Sequence, residues 1–143
     1  QIYDPITKSP YKEYPKEAAV LKKAMELLSK SSVEIAFKGK EINLKFDEAF
    51  GLGAKYTAGE ENDFLICALK KGKKIQYKPV VTVFHEKKIY KEDNKQLIAK
   101  GALYAKHFGF FISNAVLLRD LIIKHQNNYR WFWNGYFEYK RQN

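Results

Sequence analysis

With a single cysteine, Cys67, the chain cannot build an internal disulfide framework, and its composition fits a reducing compartment. Long hydrophobic runs are missing too. The most apolar stretch, Phe110 to Lys124, is interrupted by Ser113, Asn114, Arg119 and Asp120 and falls short of the ~20 apolar residues of a membrane span. There is no G-x-x-x-x-G-K-S/T phosphate loop, no helix-turn-helix, zinc or RNP-type motif, no internal repeat and no low-complexity tract. Neither Met nor an apolar leader stands at Gln1, so the native start is expected upstream.

What is present suits one globular domain or part of one: 45% hydrophobic and 15% aromatic residues over 143 positions. The net charge of +10 is unevenly spread, with 11 Lys/Arg against 4 Asp/Glu in residues 87–143. A basic excess attracts phosphates of nucleic acid, anionic lipid or a diphosphate substrate, and does not choose among them.

The chain is organised around Gly51-Leu52-Gly53 through Gly59-Glu60-Glu61-Asn62-Asp63-Phe64. The glycines let a loop take positive φ and let another molecule approach its backbone. Three carboxylates follow in four positions, and then Phe64, Leu65, Ala68 and Leu69 recur at helical spacing. Gly72 is expected as the C′ residue, behind Lys70 and Lys71 at the negative helix end. Acids in a first turn also favour the helix dipole by roughly 0.3–1 kcal/mol each with no chemistry involved.

Four pieces in register carry more. Phe46-Asp47-Glu48-Ala49-Phe50-Gly51-Leu52-Gly53, Gly59-Glu60-Glu61-Asn62-Asp63-Phe64-Leu65, Gly72-Lys73-Lys74-Ile75-Gln76-Tyr77-Lys78-Pro79 and Val83-Phe84-His85 resemble the second half of family 2 glycosyltransferases. The match runs over about residues 31 to 86. The resemblance implies an inverting enzyme of the GT-A fold, an α/β class, using a nucleotide-diphospho-sugar donor and a glycan or lipid-linked acceptor. It implies Glu61 as the catalytic base, where the family more often has Asp. Glu60 would orient acceptor or loop, and Asp63 would hydrogen-bond acceptor hydroxyls or loop backbone. Gly51, Leu52 and Gly53 would line the acceptor side. His85 would be one ligand of a divalent metal, Mn²⁺ or Mg²⁺, although a lone His at a strand end is also an ordinary boundary residue. The family's Asp-x-Asp motif is absent from these 143 residues. The chain is therefore expected to be the acceptor-side half of a longer enzyme, inactive alone.

For the remainder, Ile2-Tyr3 reads as a strand tail and Pro5–Pro15 as a loop. Lys16 to Ser29 reads as a helix with Ala18, Leu21, Ala24, Met25 and Leu28 on one face. Ser32 to Phe37 alternates as a strand, Lys38-Gly39-Lys40 turns the chain, and Val80 to Phe84 forms a second strand. The boundary falls after residue 86, and the remainder forms a basic, aromatic-rich helical extension. Within it, Tyr90–His107 and Phe110–Lys124 read as helices separated at Gly109. The tail from Tyr129 to Arg141 interleaves aromatics with cations, which suits either an anionic membrane surface or a helical hairpin packed on the core or a partner chain. A cytoplasmic protein, peripheral on the inner face of the cell membrane, is the expected setting. A non-catalytic membrane-surface or interaction domain stays open as a second reading. A basic nucleic-acid-binding module is a third, with no motif to support it.

Overall fold

The computed structural model describes residues 1–38, 43–87, 93–123 and 129–143, with the backbone alone for 120–123. Gly39 and Lys40 of the expected turn, Tyr90 at the expected helix start, and Lys124 lie outside the described residues. The architecture is mixed α/β. It forms two compact units, one of residues 1–45 and 64–90, the other of residues 46–63 and 91–143. The glycine loop and acidic turn thus group with the C-terminal helices, not with the residues that precede 86.

The first unit holds two small sheets. In one, β1 (Ile2–Asp4) pairs antiparallel with β2 (Ser9–Pro10) and parallel with β5 (Val83–Phe84). In the other, β3 (Ala19–Leu21) pairs antiparallel with β4 (Ile75–Tyr77). Ile2, Asp4 and Leu27 are buried here, as are Phe64, Leu65, Ile66 and Ala68 of α1 (Glu60–Lys70). Burial pushes the Asp4 carboxyl up, but hydrogen bonds from the Thr7 hydroxyl and the Ile6 amide outweigh it and hold its pKa below the ordinary value. Gly72 ends α1 at φ 74°, with its amide on the Leu69 carbonyl at 2.9 Å and the Lys73 amide on Ala68 at 3.0 Å. That is the expected C′ glycine in a Schellman arrangement.

Three expected elements differ. The helix over Lys16–Ser29 is replaced by β3 and a 3₁₀ turn at Ala24–Leu27. Pairing with β4 outweighs local helix propensity for Ala19, Val20 and Leu21. The Glu26 carboxylate then accepts the Lys22 and Lys23 amides, both at 2.9 Å, and tightens the turn. The strand over Ser32–Phe37 is instead a 3₁₀ turn, Ser32–Glu34, with Phe37 beyond it. Glu34 accepts the Ser31 amide at 3.0 Å and pairs with Lys12 at 2.6 Å, so its carboxylate caps a turn where a strand would have turned it outward. Of Val80–Phe84 only Val83 and Phe84 pair as strand. Pro79 has no amide to give a ladder, and the Val80 amide folds back on the Lys78 carbonyl.

In the second unit, α2 (Asn94–His107) starts on Asp93, whose carboxylate accepts the Gln96 amide at 2.8 Å. α3 (Phe110–Ile123) and α4 (Tyr129–Gln142) follow. α2 and α4 form the main packing. Ile98, Gly101, Ala102 and Ala105 recur on α2, and Phe132, Gly135, Tyr136 and Tyr139 on α4, each set at i, i+3, i+4, i+7 spacing. Two glycines bring the backbones together. A Cβ on Gly101 would lie 1.9 Å from the Phe132 carbonyl oxygen, and one on Gly135 would lie 1.9 Å from that of Ile98. The reciprocal pairing, 101 with 132 and 98 with 135, runs the two helices antiparallel.

Candidate functional site

The glycine loop is a closed turn built by its own backbone. The Asp47 carboxylate accepts the Ala49 amide at 2.9 Å, and the Phe50 amide reaches the Asp47 carbonyl at 3.0 Å. Further on, the Tyr56 amide bonds to Ala49 at 2.9 Å and the Gly51 amide to Tyr56 at 2.8 Å, pinching the base of the loop. Gly51, Gly53 and Gly59 all take positive φ, at 118°, 80° and 95°. Leu52 stands at the tip, 95% exposed, while Gly51 is buried beneath it. The side chain of Glu60 covers Gly51: a Cβ there would meet Glu60 Cδ at 3.5 Å. Phe50, Tyr56 and Tyr139 pack as a ring cluster with centroids 5.1–6.2 Å apart. The Tyr56 hydroxyl is buried there with no hydrogen-bond partner among the described residues, and burial pushes its pKa up.

The three acids of the first turn of α1 have different surroundings. Glu60 and Glu61 are half-buried, whereas Asp63 is 2% exposed. Its Oδ1 takes both Lys106 Nζ and His107 Nε2 at 2.6 Å. Lys106 also reaches Asp47 Oδ2 at 2.6 Å and lies over the Phe50 ring, 5.3 Å from its centre. The last turn of α2 therefore ties the start of the loop, through Asp47, to its end, through Asp63. Lys106 holds the Asp47 carboxyl below its ordinary pKa. Burial would push Lys106 itself down, but hydrogen bonds to Asp47 and Asp63 outweigh it and the ammonium stands above its ordinary value.

The structure thus brings Gly51, Glu60 and Asp63 into one loop-and-turn assembly with Glu61 on the same helix turn. His85 belongs to the first unit. His85 is exposed at the exit of β5, its amide on the Tyr3 carbonyl at 3.0 Å and its Nδ1 2.7 Å from the Glu86 carbonyl oxygen. Among the described residues, no group of three or more ligating side chains includes His85. Sequence reasoning missed Lys106 and His107 altogether. Their only signal was two basic residues in the last turn of α2, which a helix dipole explains equally well. No helix among the described residues is long and apolar enough to cross a membrane.

No protein-family model matches the chain, and no curated protein or solved structure matches it.

Proposed function

We propose that the chain supplies the acceptor side and the catalytic base of an inverting sugar transfer, in a polypeptide that also carries a nucleotide-binding half of GT-A type. The observation that carries this reading is the division of labour in the acidic turn. Asp63 is committed inward to Lys106 and His107, and Glu60 and Glu61 stay half-exposed beside a loop of left-handed glycines. A loop whose exposed tip carries no bulk except Leu52 admits a sugar or lipid-linked acceptor close to the backbone.

In the reaction, Glu61 takes the proton from an acceptor hydroxyl as its oxygen attacks the anomeric carbon. The bond from that carbon to the diphosphate oxygen breaks, and configuration inverts. Glu60 and the Gly51–Gly53 segment orient the acceptor. Asp63 acts through position, since its pairing with Lys106 and His107 fixes the first turn of α1 and so the direction of the base. A divalent cation, Mn²⁺ or Mg²⁺, belongs to the donor side, where His85 would add at most one ligand. The setting is cytoplasmic, in keeping with the single cysteine.

The test is Glu61→Gln in the enzyme carrying both halves. Turnover is expected to fall by ~10²–10⁴-fold with the fold intact, because the shape is kept and the proton acceptor is lost. Normal turnover in Glu61→Gln, with Glu60→Gln inactive, would transfer the role to Glu60. Normal turnover in both would overturn the reading.

A further inference from the structure

The second unit leaves a continuous aromatic strip uncovered. Phe111 lies 6.1 Å from Phe110, Phe110 5.3 Å from Trp133, and Trp133 is stacked 5.4 Å from Phe137 (ring centroids). Phe111 is 88% exposed, and Phe110 and Phe137 are each 49% exposed. Behind the strip, Phe132 and Tyr136 are buried, so the helices already have their core and the strip is surplus to it. Farther along the exposed side of α3 stands Leu118, 59% exposed.

Cations outnumber acids in the lining beside this strip. A shallow open depression next to it is lined by Trp133, Asn134, Phe137, Glu138, Lys140 and Arg141. The one acid, Glu138, is paired with Lys55 at 2.7 Å, which leaves Lys140 and Arg141 to set the local potential. Exposed aromatic rings edged by cations complement the boundary of an anionic bilayer. There, Trp and Phe rings settle at headgroup depth while Lys and Arg meet lipid phosphates.

We infer that Phe110, Phe111, Trp133 and Phe137, with Lys140 and Arg141 at their edge, form a docking surface for an anionic phospholipid bilayer. The helices lie on such a surface and do not cross it. The inference is independent of the sugar-transfer reading, since lipid binding is measured with no turnover at all.

The experiment uses this chain with vesicles of phosphatidylcholine alone or mixed with phosphatidylglycerol, read by co-sedimentation. Both tryptophans of the chain, Trp131 and Trp133, are on α4, so intrinsic emission reports on this helix directly. Expected is binding to the anionic vesicles, with a blue shift, weakened at high salt and much weaker with phosphatidylcholine alone. Each cation near such a surface contributes roughly five-fold in affinity, so Lys140→Gln with Arg141→Gln should weaken binding by more than ten-fold. Phe111→Ser with Phe137→Ser should remove the part of the binding that survives high salt. Val33→Ser, exposed in the other unit, should change nothing. Circular dichroism checks folding, and should the Phe pair fail to fold, the Lys140/Arg141 pair with the salt series decides alone. No binding to anionic vesicles at low salt, binding that the Lys140/Arg141 pair does not weaken, or self-association that protects the strip would each overturn the proposal. The last result would make a second copy of the chain the occupant.

Discussion

The glycine that ends α1 and the glycines inside α2 and α4 serve opposite purposes. In the sheet-bearing unit, Gly72 sits at φ 74° with nothing within 4 Å of a would-be Cβ, so its value is conformational. In the helical unit, Gly101 and Gly135 lie inside regular helices, where glycine costs helix propensity, and their value is steric: each makes room for a backbone carbonyl of the other helix. The one kind ends an element. The other joins two, and the difference teaches where each unit is vulnerable.

The largest expected effect on folding therefore comes from Gly101→Leu or Gly135→Leu. The side chain would have to pass through a carbonyl, and separating α2 from α4 should cost ~3 kcal/mol or more. Urea denaturation measures this, and near-wild-type stability would break the steric side of the comparison. Next comes Asp63→Asn, which leaves Lys106 facing one carboxylate and takes the carboxylate from beside His107. A loss of about 3 kcal/mol is expected from breaking a buried pair on one side. A variant that stays stable but loses turnover would instead return Asp63 to the chemistry.

The pH profile sharpens the same point. Asp47 has a folded pKa below its ordinary 3.8, so its contribution is present above that value and is lost as pH falls through the lower folded one. Lys106 has a folded pKa above 10.5, so its contribution is full below 10.5 and is lost as pH rises through the higher folded one. The urea midpoint should be flat between these limits so far as Asp47 and Lys106 set it, and the acid-side loss should be smaller in Asp47→Asn. The smallest effect belongs to Gly72→Ala, about 1 kcal/mol, since only the left-handed backbone resists the change. A loss as large as that of Gly101→Leu would erase the distinction between the two kinds of glycine.

Elements whose cause is local were legible in the sequence. Helix α1 with its Gly72 stop, and α2 and α3 on either side of Gly109, follow from spacing and breakers within a few residues. Elements set by distant partners were not. Ala19–Leu21 carries helix-compatible residues and becomes a strand because Ile75–Tyr77 is there to pair with it. The carboxylates of the site were legible as types and positions. The separation of Asp63 from Glu60 and Glu61 was not, because it depends on Lys106 and His107, the latter 44 residues away in the chain. Spacing shows which acids share a helix turn; it does not show that Asp63 is buried against Lys106.

The paired notches at Gly101 and Gly135 also set how α2 and α4 respond to a pull along their axes. They act as a detent. Sliding either helix by one residue would set Ala102 or Tyr136 against a carbonyl that only a glycine can face, at both notches at once. The pair should resist shear up to the point of rupture and then part as a whole, with no intermediate register to rest in.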